Sequence, residues 1–168
     1  MKKIGLVGGT GPESTLMYYK ELNTRIDAAT GGKNMPEIAI ESVNFRKVWE
    51  MVSGGQYQEL ADYLSEKVRN LAASGAEVIS LTAVTMHLVF DELEKNTGVS
   101  LVSIPKTVCK AALEKGYQKV GLLGTMAMTA LVGKKILTKP VIRRLSISDT
   151  RIQVIRQETQ ELRNMYQI

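Results

Sequence analysis

The feature that most constrains this chain is a regular alternation of short apolar runs with amphipathic segments over its first three quarters. Lys3-Ile4-Gly5-Leu6-Val7 reads as a strand, followed by the turn Gly8-Gly9-Thr10-Gly11. A helix opened by Pro12 follows, with Leu16, Tyr19, Leu22 and Ile26 at helical spacing. Glu37 to Ser42 alternates as a second strand, and Tyr57 to Ala73 carries Leu60, Tyr63, Leu64, Val68 and Leu71 on one helical face. Glu77 to Leu81 reads as a third strand, then a helix from about Met86 to Glu94, then a fourth strand at Leu101-Val102-Ser103-Ile104 stopped by Pro105. Lys106 to Lys115 is helical in pattern and ends at Gly116, and Lys119 to Leu123 reads as a fifth strand. Beyond Thr129 the alternation weakens, and only Thr150 to Met165 still reads as a helix. Strand–helix repetition with short connections predicts an α/β fold, a parallel sheet flanked by helices. The strands are apolar on both faces, as buried parallel strands are.

The remaining features narrow the class. No apolar run in the 168 residues reaches a membrane-spanning length, which is about 18 residues. The apolar part of MKKIGLVGG is too short for a signal peptide and fits the first strand instead. A single cysteine, Cys109, excludes an internal disulfide and a cysteine-based zinc site, and a single histidine, His87, argues against a histidine-rich metal site. These features favour a reducing, cytoplasmic setting. The formal charge of +5 is carried by the last segment, where Lys134, Lys135, Lys139, Arg143, Arg144, Arg151, Arg156 and Arg163 face only Asp149, Glu158 and Glu161. With no aromatic interleaving or glycine–arginine repeat, this bias reads as a solvated face rather than a nucleic-acid patch.

Parallel sheets of this kind bind ligands at the carboxyl ends of their strands. That rule selects three loops: Gly8 to Gly11, Leu81 to His87, and Gly124 to Thr129. The first places backbone N–H groups at a helix N-terminus, a geometry that holds a phosphate or carboxylate. A dinucleotide fingerprint would need a third glycine where Ser14 stands, and Glu13 would repel a diphosphate, so a carboxylate fits better than a nucleotide. The bland alternative is a tight strand-to-helix turn. In the second loop, Thr82, Thr85 and His87 are able to orient a small polar substrate; equally, the threonines cap the following helix and His87 bonds to backbone.

Leu6-Val7-Gly8-Gly9-Thr10-Gly11-Pro12-Glu13-Ser14, Ser42-Val43-Asn44-Phe45, Thr85 to Leu93 and Val120-Gly121-Leu122-Leu123-Gly124-Thr125 together resemble the aspartate/glutamate racemase family. The resemblance spans roughly the first three quarters of the chain, in the family's order. It implies two similar α/β lobes with a small amino acid between them, no pyridoxal phosphate or metal, and a homodimer. It also implies one cysteine per lobe, flanking the α-carbon. Inversion there needs one group to remove a proton and another to deliver it from the opposite face, and thiols of lowered pKa suit both tasks.

This chain departs from that pattern. The first-lobe cysteine of a Cys-Asn-Thr stretch is replaced by Ala83, followed by Val84 and Thr85. No glycine–cysteine–threonine–glutamate segment follows Thr125, and Cys109 reads as a small buried helix cysteine. The expected organisation is a first lobe over 1–105 and a partial second lobe with a C-terminal helix over 106–168. A deletion or frame change inside the second lobe would account for the shortness, the basic bias and the lost cysteine together.

The resemblance implies a ligand site of Thr10, Gly11 and Thr85, with Asn44 on the amino group, Thr125 from the second lobe, and His87 as the remaining acid–base candidate. The reading is therefore a cofactor-independent, racemase-like protein that binds aspartate- or glutamate-type amino acids without appreciable turnover. A non-catalytic carboxylate-binding or scaffold protein of the same fold is the alternative, and a nucleotide-binding module ranks third.

Overall fold

A computed structural model describes residues 1–116 together with 120–121 and 142–143. The chain divides into two compact units, Met1–Val108 and Cys109–Ile168. In the first, strands β1 (Ile4–Gly8), β2 (Ile38–Ser42), β3 (Val78–Leu81) and β4 (Leu101–Val102) form one sheet in the order β2-β1-β3-β4. All three pairings are parallel, with Ile4 opposite both Ile38 and Val78, and Ile79 opposite Leu101. The helices are α1 (Pro12–Ala29), α2 (Phe45–Ser53), α3 (Tyr57–Ala73), α4 (Phe90–Thr97) and α5 (Ile104–Glu114), with a 3₁₀ turn over Val84–Val89. The α/β architecture, a parallel sheet flanked by helices, is the one the alternation predicts.

The two sheet faces follow from strand alternation. A Cβ placed on Gly5 would touch Leu71 of α3, whereas one placed on Gly8 would collide with Thr15 of α1. Residues 5 and 8 differ in parity, so α3 and α1 lie on opposite faces. The α3 face holds the core: Val7, Ile79, Leu81 and Leu101 meet Leu60, Leu64, Val68 and Leu71 of α3 and Leu93 of α4. These helical residues recur at the three- and four-residue spacing that forms one apolar stripe. By contrast, α1 buries no residue, and its Leu16, Met17 and Tyr19 are exposed.

Several boundaries differ from the sequence reading. The helix α2 is not among the elements predicted from periodicity. It is short, and its start is fixed by Asn44, whose side-chain oxygen accepts from the N–H groups of Arg46 and Lys47, a local capping signal. The single helix predicted over Met86 to Glu94 is instead the 3₁₀ turn followed by α4, which runs on to Thr97 and stops at the left-handed Gly98. The edge position of β2 leaves Ile40 exposed, so this strand is not buried on both faces as expected.

Pro105 does not end an element; it lies in the first turn of α5, where its missing N–H costs nothing. In the second unit, β5 (Val120–Gly121) and β6 (Ile142–Arg143) pair in parallel, and β6 falls where the sequence predicts no strand. The helix expected over Thr150 to Met165 lies outside the described residues. Among the described residues no helix is long and apolar enough to cross a membrane.

Candidate functional site

Three connections leave the carboxyl ends of β1, β2 and β3 side by side: residues 9–11, 43–44 and 82–85. Their contacts explain the glycine pair. Gly9 has φ +91°, and a Cβ there would stand 2.6 Å from the Val43 carbonyl oxygen and from Ser42 Oγ. Only glycine combines that conformation with so close an approach of two backbones. The N–H of Val43 donates to the Gly8 carbonyl at 2.9 Å and that of Thr82 to the Val7 carbonyl at 3.0 Å, so both neighbouring loops hang from the end of β1.

A directed chain of hydroxyls locks the same corner. Thr82 Oγ1 donates to the Val7 carbonyl at 3.3 Å, which uses its only hydrogen. The 3.1 Å contact between the Thr15 and Thr82 hydroxyls therefore has Thr15 as donor. Thr15 Oγ1 in turn accepts from the Gly9 N–H at 3.0 Å. The chain starts and ends two residues apart in β1 and its turn, passing through α1 and the end of β3 on the way. Thr15, in the first turns of α1, holds this corner and was missed by sequence reasoning, and Thr82 works through backbone rather than toward a ligand.

The sequence-predicted site residues fall as follows. Gly11 caps α1 with φ +86°, and no side chain caps the helix start among the described residues. Beside it, Thr10 Oγ1 is buried without a hydrogen-bond partner among the described residues. A helix N-terminus carries partial positive charge, so this corner suits an anion. Thr85 is half-buried in the 3₁₀ turn. Ala83 is extended, and its methyl packs against the apolar core, opposite in direction to Thr82. Asn44 also stands at this end of the sheet, but its Oδ1 is engaged in capping α2, and its N–H donates to the Tyr63 hydroxyl at 3.1 Å. Thr125 and the loop Gly124 to Thr129 lie outside the described residues. Cys109 is a free cysteine in α5 and is half-buried rather than buried.

His87 is buried, and both ring nitrogens are engaged by backbone: Nδ1 lies 3.1 Å from the Ala83 carbonyl, and Nε2 lies 3.1 Å from the Ile104 nitrogen. Burial pushes its pKa below the usual 6.5, partly opposed by the bonds to the Ala83 and Val84 backbone. In this geometry the ring offers neither a free lone pair nor a free proton. Among the described residues no group of three or more His, Cys, Asp or Glu is placed to hold a metal ion.

Two solved structures share this architecture. A Yersinia pestis protein assigned as an Asp/Glu racemase superposes with a TM-score of 0.82 and 31% identity, covering 96% of this chain and 71% of its own. An aspartate racemase homologue from Pyrococcus horikoshii OT3 gives a TM-score of 0.76 and 35% identity, covering 94% of this chain and 69% of its own. The family model for Asp/Glu/hydantoin racemases matches residues 7–160, from the end of β1 onward. By sequence and by fold, the chain belongs to the Asp/Glu/hydantoin racemase family.

Proposed function

We propose that the chain binds a small amino-acid carboxylate of the aspartate or glutamate type at this end of the sheet and does not racemise it appreciably. The observation that carries the reading is the start of α1, with no side-chain cap, beside the buried hydroxyl of Thr10, which has no partner among the described residues. Buried polar atoms are almost always satisfied, and a carboxylate would satisfy this one together with the helix N–H groups. Gly11 and Thr85 complete the cradle in this reading. Because its oxygen is engaged in capping, Asn44 offers a ligand mainly its amide N–H groups, which suit a second carboxylate better than the ammonium group expected from sequence. Similarity to an aspartate racemase homologue supports the same ligand class.

Turnover needs two acid–base groups on opposite faces of the α-carbon, and losing one typically costs about 10² to 10⁴ in rate. Alanine at position 83 transfers no proton, and the imidazole of His87 has both nitrogens occupied. A thiol placed at position 83 would supply one acid–base group and leave the opposite face of the α-carbon without one. Ala83→Cys alone is therefore expected to support at most one-sided exchange. In the same reading the chain is a cytoplasmic homodimer, with a first lobe over 1–105 and a partial second lobe over 106–168.

Calorimetric titration with both enantiomers of aspartate and glutamate, with hydantoin and with a nucleotide tests the binding; saturable heat with an amino acid and none with the other two is expected. Rapid solvent-deuterium incorporation at Cα by the purified chain would overturn the inactive reading. Sedimentation as a monomer at micromolar concentration would remove the homodimer.

A further inference from the structure

His87 is only 3% exposed, and its environment fixes its protonation state by elimination. The Ile104 nitrogen is a backbone donor, so Nε2 at 3.1 Å must present a lone pair. The Ala83 carbonyl is an acceptor, so the ring proton resides on Nδ1 at 3.1 Å. A protonated ring would set N–H against N–H at the Ile104 end. The position of the ring gives these two bonds a purpose. Strands β3 and β4 are paired only through Ile79↔Leu101 and Ser80↔Val102. Beyond Val102 the backbones part, and the imidazole spans the gap, bonding the loop after β3 to the first residue of α5.

Burial keeps the ring neutral. It stacks on Phe90 with centroids 5.1 Å apart and planes within 5°, and Lys106 Nζ of α5 lies 5.3 Å from that same Phe90 ring. The residues buried on the neighbouring elements are apolar or hydroxylic: Leu60, Leu64, Ser65 and Val68 on α3, Ile79 and Leu81 on β3, Leu93 on α4. Asp91 and Glu92 of α4, and Glu59, Asp62, Glu66 and Arg69 of α3, are exposed; Lys67 is half-buried and paired with Glu41, and the half-buried Glu94 of α4 accepts from the Leu101 N–H at 3.0 Å. None of the buried residues among these is a carboxylate able to stabilise a charged imidazole.

We propose that His87 is a positioning residue, a neutral clamp that joins the ends of β3 and β4 and thereby holds residues 83–85 in place, and that protonation of its ring releases the clamp. The role in ligand binding rests on the reading of the site given above; the clamp itself does not.

The test uses the full chain. With ¹⁵N-labelled histidine, NMR at pH 8 is expected to report the neutral Nδ1–H tautomer; an Nε2–H or charged ring there would overturn the proposal. Amide exchange at Ile104, corrected for intrinsic rates, is then followed from pH 8 to pH 4. Protection is expected to fall by about tenfold per pH unit once the ring begins to titrate, as one linked proton requires. In His87→Gln the side-chain oxygen still accepts from Ile104 and does not ionise, so its protection is expected to be independent of pH. Equal pH profiles in the two proteins would overturn the clamp, and the wild-type arm decides even if the variant does not fold.

Aspartate affinity measured over the same range is expected to fall in step with Ile104 protection in the wild type and to stay level in His87→Gln. Constant affinity while protection is lost would overturn the positioning role. No aspartate binding at pH 8, with tautomer and exchange as expected, would instead overturn the amino-acid reading and leave the clamp supported.

Discussion

The two faces of the first unit's sheet are built on different principles. The α3 face is a packed apolar interior, in which Leu60, Leu64, Val68, Ile79 and Leu81 are fully buried. The α1 face carries one fully buried large side chain from β1, Leu6, and is organised at its carboxyl end by hydrogen bonds through Thr15 and Thr82. Apolar burial is non-directional and tolerates small shifts, whereas a hydroxyl chain sets donor and acceptor positions closely. Stability is therefore concentrated on one face, and the geometry of the candidate site on the other.

Substitutions can sharpen or break this contrast. The largest effect is expected from Leu64→Ala, which opens a cavity in the α3 face; such changes cost about 2–5 kcal/mol. Chemical denaturation should show a lower midpoint with an unchanged slope, and a loss below 1 kcal/mol would show that the α3 face is looser than its burial indicates.

Thr82→Val comes second. It keeps the volume and removes the hydroxyl, leaving the half-buried Thr15 without its acceptor, and the lost bonds cost about 1 kcal/mol. Aspartate affinity should weaken as well, because Thr15, which accepts from the Gly9 N–H, loses its bond to Thr82. Full affinity in this variant would break the proposed division between the faces.

The third test is pH. The folded-state pKa of His87 is lowered by burial, so the unfolded chain binds its proton more readily. The stability this group contributes is complete above its ordinary value of 6.5. It is lost as pH falls from there through the lower folded-state value. Denaturation midpoints between pH 8 and pH 5 should show this decline in the wild type and a smaller one in His87→Gln.

The smallest effect is expected from Leu16→Ala on the α1 face, a side chain that is 68% exposed. Surface changes of this sort stay within about 0.5 kcal/mol. A loss of several times that size would mean that α1 is covered in solution.

Much of the fold was legible because its signals are local. Alternation at Glu37 to Ser42, the helical stripe of Tyr57 to Ala73 and the glycine turn after Val7 each reside within a few residues, and each lies where the sequence predicts. The cap at Asn44 was equally local, and an Asn followed by Val48 and Met51 on one helical face would have revealed α2. The loops of the candidate site were legible through the rule that ligands gather at strand ends, and Thr10 and Gly11 stand at the end of β1.

What the sequence alone determined is the four strands and the two long helices of the first unit and the parallel class of the sheet. The roles of individual polar side chains were decided only by tertiary structure. Thr15 meets Thr82 across 67 residues of chain, and His87 reaches the Ile104 nitrogen across 17. A hydroxyl or an imidazole carries no mark in sequence of the partner it will find. Periodicity reports which face of an element is buried, but the identity of a hydrogen-bond partner depends on which strands become neighbours, and that order is settled only when the sheet assembles.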